Sequence, residues 1–182
     1  MMKRSLTVIA AALMTTSVYA QDQAQQQEQA AAGEPVTHKA SFVDAEGKSN
    51  GSADLSEVAA GGVLIKLEVT GLPAGQWVAF HVHETGECDH QSGHESAGGH
   101  FNPSSHEHGF LVEEGPHAGD MPKQYVGEDG TLRAEVFSPM VSLSEEENGI
   151  LGRALMIHAG PDDYKSQPSG DAGDRLACGV IE

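Results

Sequence analysis

His81-Val82-His83 sets two imidazoles two residues apart, and on a β-strand residues two apart share a face. Side chains so placed can grip one metal ion from one strand. His100, His108, His117 and Asp120 follow along the same Gly-rich stretch. Imidazole and carboxylate together are a donor set for borderline first-row metals. A lone His-x-His on a strand is more often a solvated pair than a metal site. The four further donors behind this one are what point to metal chemistry.

A strand must carry the first two donors. In Gln76-Trp77-Val78-Ala79-Phe80-His81-Val82-His83 the residues Val78, Phe80 and Val82 fall on one face and suit a core. His81 and His83 fall on the other, so the strand is apolar inside and carries its ligands outside. Upstream, Val63, Ile65, Leu67 and Val69 alternate with Leu64, Lys66 and Glu68, the period-two pattern of a half-buried strand. Glu46-Gly47-Lys48, Asn50-Gly51 and Leu72-Pro73-Ala74-Gly75 are turn signals. Downstream, Tyr125-Val126 and Leu132-Ala134-Val136 read as a hairpin across Glu128-Asp129-Gly130. Ile150 to His158 reads as a strand, Gly160 to Asp174 as a Gly/Pro/Asp-rich loop, and Leu176 to Ile181 as the last strand. No stretch sustains helical periodicity. The pattern predicts an all-β domain with two long loops.

The chain opens on the basic head Met1-Met2-Lys3-Arg4, an apolar run from Leu6 to Met14, and small residues before Ala20. Residues 1–20 are expected to be a secretory signal peptide, too short for a stable membrane anchor. Residues 21–34, rich in Gln and Ala, are expected to be a disordered tether. Residues 35–182 then form one domain. Without Lys3 and Arg4, eight basic residues face 27 acidic ones, a formal charge of −19. Such an acidic surface argues against nucleic acid or an anionic membrane as partner. Export permits a disulfide, and the mature chain has two cysteines, Cys88 and Cys178.

Several segments resemble the copper/zinc superoxide dismutases. They are Ala79-Phe80-His81-Val82-His83-Glu84, Ser96-Ala97-Gly98-Gly99-His100-Phe101-Asn102-Pro103 and Gly115-Pro116-His117-Ala118-Gly119-Asp120. Met156-Ile157-His158-Ala159 and Gly173-Asp174-Arg175-Leu176-Ala177-Cys178-Gly179-Val180-Ile181 continue the match, which runs from about His38 to the C-terminus. The resemblance implies a Greek-key β-sandwich or flattened β-barrel with two long functional loops. It implies conversion of superoxide to dioxygen and hydrogen peroxide, with copper on His81, His83, His100 and His158. Zinc would sit on His100, His108, His117 and Asp120, so His100 would bridge the two ions. Asp162 matches a carboxylate that joins a copper histidine to a zinc histidine. Arg175 matches an arginine that lines the copper channel, and Cys88 and Cys178 match an intramolecular bridge.

The spacings from Cys88 to His100 and from His158 to Arg175 look like those of the bacterial exported type, which implies export to the periplasm, with secretion as the alternative. Monomer and homodimer both stay open. His90, His94 and His106 fall outside the ligand pattern and are expected to face solvent. Among the few cations, Lys165 is the expected outer residue for steering superoxide, with Lys123 a weaker one. The competing reading is a copper/zinc-binding module without turnover, a copper carrier or metal buffer on the same fold. Such a module would be expected to lose a copper histidine or the channel arginine, and here His81, His83, His100, His158 and Arg175 are all present.

Overall fold

Period-two alternation becomes strands wherever one face can be buried. In a computed structural model of the protein, residues 37–144 and 146–182 are described; the expected signal peptide and tether lie outside them. Strands β1 (Thr37–Asp44), β2 (Ser49–Glu57) and β3 (Val63–Val69) form an antiparallel run. In β3, Val63, Ile65, Leu67 and Val69 are buried while Lys66 and Glu68 are exposed. These are followed by β4 (Trp77–Val78), β5 (Phe80–His83), β6 (Gln124–Tyr125), β7 (Leu132–Ser138), β8 (Ala154–His158) and β9 (Arg175–Ile181). Seven strands make one antiparallel sheet in the order β5-β8-β9-β1-β2-β3-β7, and β4 pairs with β6 alone. The only helical pieces among the described residues are two three-residue 3-10 turns, His90–Ser92 and Glu95–Ala97.

The all-β expectation therefore holds, but three details differ. The expected histidine strand is broken at Ala79, whose N–H donates to the Gly160 carbonyl at 2.7 Å and whose carbonyl accepts from His158 N–H at 3.0 Å. The expected hairpin exists only as a turn. β6 pairs with β4, where the Trp77 and Tyr125 rings meet edge-on at 5.4 Å. β7 lies against β3, because its buried Leu132 and Val136 sit opposite Val69 and Ile65. The strand expected from Ile150 begins only at Ala154, since residues 151–152 turn with Gly152 at φ 72°.

The core packs Phe42, Leu55, Ile65, Phe80, Val82, Leu132, Leu155 and Ile157 on one side of the sheet. The other side of β5 and β8 is not open to solvent. Ala154, Met156 and Cys178 pack there with Ala97 and Cys88 as a second, smaller apolar cluster. Hence β5 is buried at all four residues, and the ligand face predicted to be outside is roofed by the loop that follows. A disulfide between Cys88 and Cys178 pins that loop, with Cα atoms 5.6 Å apart across 90 residues of sequence. On a chain-entropy basis such a closure contributes about 4–5 kcal/mol.

Candidate metal centre

β5 is an edge strand, and an unpaired edge must find hydrogen-bond partners when buried. The long loop supplies them. Phe101 N–H donates to the Val82 carbonyl at 2.8 Å, Val82 N–H to Gly119 at 2.9 Å, and Glu84 N–H to Gly99 at 2.9 Å. These bonds set His100 opposite His83 and Asp120 opposite His81. A side chain at Gly119 would put its Cβ 2.4 Å from the Val82 carbonyl oxygen, so only glycine permits the approach. His158 ends β8, the neighbour of β5, and thereby joins the same face.

Asp120 is the hub of one cluster. Its Oδ1 lies 3.0 Å from His100 Nδ1, 3.0 Å from His108 Nδ1 and 3.5 Å from His117 Nδ1. A tetrahedral zinc ion with bonds of about 2.0–2.1 Å has ligand–ligand edges of about 3.3–3.4 Å, so the spacing fits that ion. Asp120 Oδ2 accepts from Gly109 N–H at 2.8 Å and His117 N–H at 3.0 Å, which fixes the carboxylate. Burial alone would raise the Asp120 pKa, but the hydrogen bonds from His100 and His108, with His117 close beside them, hold it well below the usual carboxylate range. Burial also pulls His108 down, yet hydrogen bonds to Asp120 and Asp162 outweigh it and raise the imidazole to about 9.

The second cluster gathers His81, His83, His100 and His158, whose ligand atoms all lie within 4.8 Å of one another. His83 Nδ1 faces the Gly98 carbonyl at 3.0 Å, and His158 Nδ1 faces that of Gly173 at 3.4 Å. A carbonyl only accepts, so each Nδ1 carries the proton and each Nε2 carries a lone pair. His81 Nδ1 and His100 Nε2 are buried with no partner at all. Burial, helped by His100 and His158, pushes His83 down to about 2. Burial with His81 and His100 lowers His158 to about 3, and burial with His81 lowers His100 to about 4. Four neutral imidazoles turning lone pairs to one spot suit copper in either oxidation state.

Asp162 ties the clusters together. Its Oδ2 accepts from His81 Nε2 at 2.8 Å and its Oδ1 from His108 Nε2 at 3.1 Å, fully out of solvent. Gly170, at φ +71°, clears the space: a Cβ there would lie 2.1 Å from Asp162 Oδ1. Lys123 is also anchored here, its Nζ donating to the Asp162 carbonyl at 3.0 Å beneath the Tyr164 ring.

Arg175 opens β9 and borders a cavity of about 520 Å³ that His83, His100 and His158 also line. Its Nη1 donates to the His94 carbonyl at 2.8 Å and its Nη2 to that of Gly98 at 2.9 Å. Glu95, which no sequence signal singled out, places a carboxylate oxygen 3.3 Å from Nη2. Lys165 is exposed and is not among the lining residues. His90 and His106 are exposed as expected, but His94 is fully buried with neither ring nitrogen partnered. The expectation for His94 is corrected: its backbone turns through φ 61° and carries the ring inward.

The sequence profile of the family described as copper/zinc superoxide dismutase (SODC) matches residues 49–181. Superoxide dismutase (Cu-Zn) 2 of Aquifex aeolicus is 51% identical over 146 residues, spanning 78% of this chain and 84% of its own. Superoxide dismutase (Cu-Zn) of Caulobacter vibrioides is 41% identical over 143 residues, spanning 75% of this chain and 80% of its own. Among solved structures, a double mutant of a SOD-like protein from Bacillus subtilis aligns with a TM-score of 0.75 at 40% identity, over 78% of this chain and 94% of that one. The Cu/Zn superoxide dismutase from Brucella abortus aligns with a TM-score of 0.66 at 31% identity, over 81% of this chain and 100% of that one. With its β-sandwich, its paired histidine clusters and these relatives, the chain belongs to the copper/zinc superoxide dismutase family, oxidoreductases that use copper and zinc to convert superoxide into dioxygen and hydrogen peroxide.

Proposed function

We propose that His81, His83, His100 and His158 hold the copper and that His100, His108, His117 and Asp120 hold the zinc. One observation carries this division. His100 turns Nδ1 to Asp120 at 3.0 Å and leaves Nε2 buried without a partner, so its two nitrogens address different clusters. Copper supplies the one-electron couple that oxidises one superoxide ion and reduces the next, while zinc holds its loop without redox chemistry.

The chain's own groups do the rest. Arg175, fixed by two carbonyls, presents its guanidinium to the cavity and docks the anion. His100 Nε2, buried and left without a partner while Nδ1 faces Asp120, is the atom at which a proton would be held for the forming peroxide. Asp162 keeps the Nε2 protons of His81 and His108 in place, which leaves Nδ1 of each ring free as a ligand. Superoxide removal by protein loaded with copper and zinc, against a zinc-only control, tests the reading. Turnover is expected only with copper; two bound metals without turnover would favour the carrier or buffer.

The protein is further read as exported, with residues 1–20 removed and the domain at work in the periplasm. Support comes from the basic and apolar N-terminal sequence and from the Cys88–Cys178 disulfide. N-terminal sequencing of the envelope-fraction protein should begin at Gln21; a chain starting at Met1 in the cytosol would contradict it.

A further inference from the structure

Arg175 shares the cavity with two carboxylate residues, Glu95 and Asp174, and it is the one cationic residue among those that line it. The guanidinium does not need Glu95 to hold its place. The His94 and Gly98 carbonyls already fix Nη1 and Nη2 at 2.8 and 2.9 Å, while Glu95 adds a looser contact at 3.3 Å. The Glu95 side chain is 71% exposed, against 14% for Arg175. An ion pair that open is weak and easily displaced. The cavity thus offers one fixed cation with a movable carboxylate beside it.

We propose that Glu95 is a specificity-determining residue, a charge filter that disfavours multiply charged anions such as inorganic phosphate at Arg175 relative to singly charged superoxide. This rests on the reading of Arg175 as the anion dock. A carboxylate beside the docking point repels an incoming anion in proportion to that anion's charge. A penalty that weakens a monoanion by some factor weakens a dianion by about the square of it. A singly charged substrate therefore passes at small cost, while phosphate is held off, and Arg175 stays available in a medium rich in phosphate. Both effects fade as salt screens the pair.

The test compares wild type, Glu95→Gln and Arg175→Ala, each loaded with copper and zinc. Azide affinity is read from the visible absorption of the copper, and phosphate affinity at mildly alkaline pH from competition with azide. For Glu95→Gln, unchanged metal content is expected, with azide binding tightened about two- to three-fold and phosphate binding about four- to nine-fold. The gap should close at high salt. Equal tightening of both anions, or no change, would overturn the filter while leaving the dismutase reading intact. If Arg175→Ala binds both anions as wild type does, the docking role fails, and the filter with it.

Discussion

The Nε2 atoms of His83 and His158 face each other at 3.3 Å in a buried space. Each ring has its Nδ1 turned to a main-chain carbonyl, Gly98 or Gly173, so neither Nε2 has a proton to share. Two lone pairs held this close repel unless a cation lies between them. His83→Ala or His158→Ala should therefore lose copper and turnover but keep one zinc, because neither ring reaches the Asp120 cluster. Metal content of each purified variant checks this; joint loss of both metals would count against separate sites.

Acid should weaken the metal-free protein in a defined window. His81, His83, His100 and His158 all have pKa values lowered by burial, the last three to about 2, 4 and 3. Below pH 6.5 the unfolded chain takes up protons at these rings while the native protein does not, so stability falls as pH drops from 6.5 toward 4. His108 works the other way: raised to about 9, it adds stability that is full below pH 6.5 and is lost as pH climbs through 9. Urea unfolding of metal-free protein should show a maximum near neutral pH and a steep decline by pH 5. A midpoint that is flat between pH 7 and 5 would mean that these rings are not held neutral.

Asp162 holds one histidine of each cluster, His81 and His108. An amide offers one acceptor oxygen where the carboxylate offers two. Asp162→Asn should therefore cost about ten- to a hundred-fold in metal affinity. Zinc release to a chelator and copper release to a second chelator should both quicken. Loss confined to one metal would show that the bridge orients only one ring.

How much of this could be read from the residues alone depends on range. The donor set was legible because His81, His83, His100, His108, His117, Asp120 and His158 are types that rarely cluster without a metal. β3 was legible because its alternation is local. The break at Ala79 was not, since it is set by backbone bonds to His158 and Gly160, far along the chain. The partner of β6 was hidden for the same reason. His94 sits in a polar stretch that reads as surface, and only the left-handed turn at its own backbone buries it. The Glu95 contact depends on where β9 delivers Arg175, which no local pattern encodes.

Lys165 lies outside the residues that line the cavity beside Arg175, so any influence on capture must act through its field. Lys165→Glu should lower the second-order rate about two- to three-fold at low salt, with metal content unchanged, and the difference should vanish as ionic strength rises. Arg175→Ala should do worse at every salt concentration. A rate indifferent to Lys165→Glu at low salt would remove Lys165 from the steering account.

In the proposed centre one imidazole, His100, separates two different metal ions. Anomalous diffraction from crystals loaded with both metals, recorded across the copper and zinc edges, addresses it directly. A copper peak is expected about 2 Å from His100 Nε2 among His81, His83 and His158, and a zinc peak about 2 Å from His100 Nδ1 among His108, His117 and Asp120. A single peak, or both ions on the same side of the His100 ring, would contradict it.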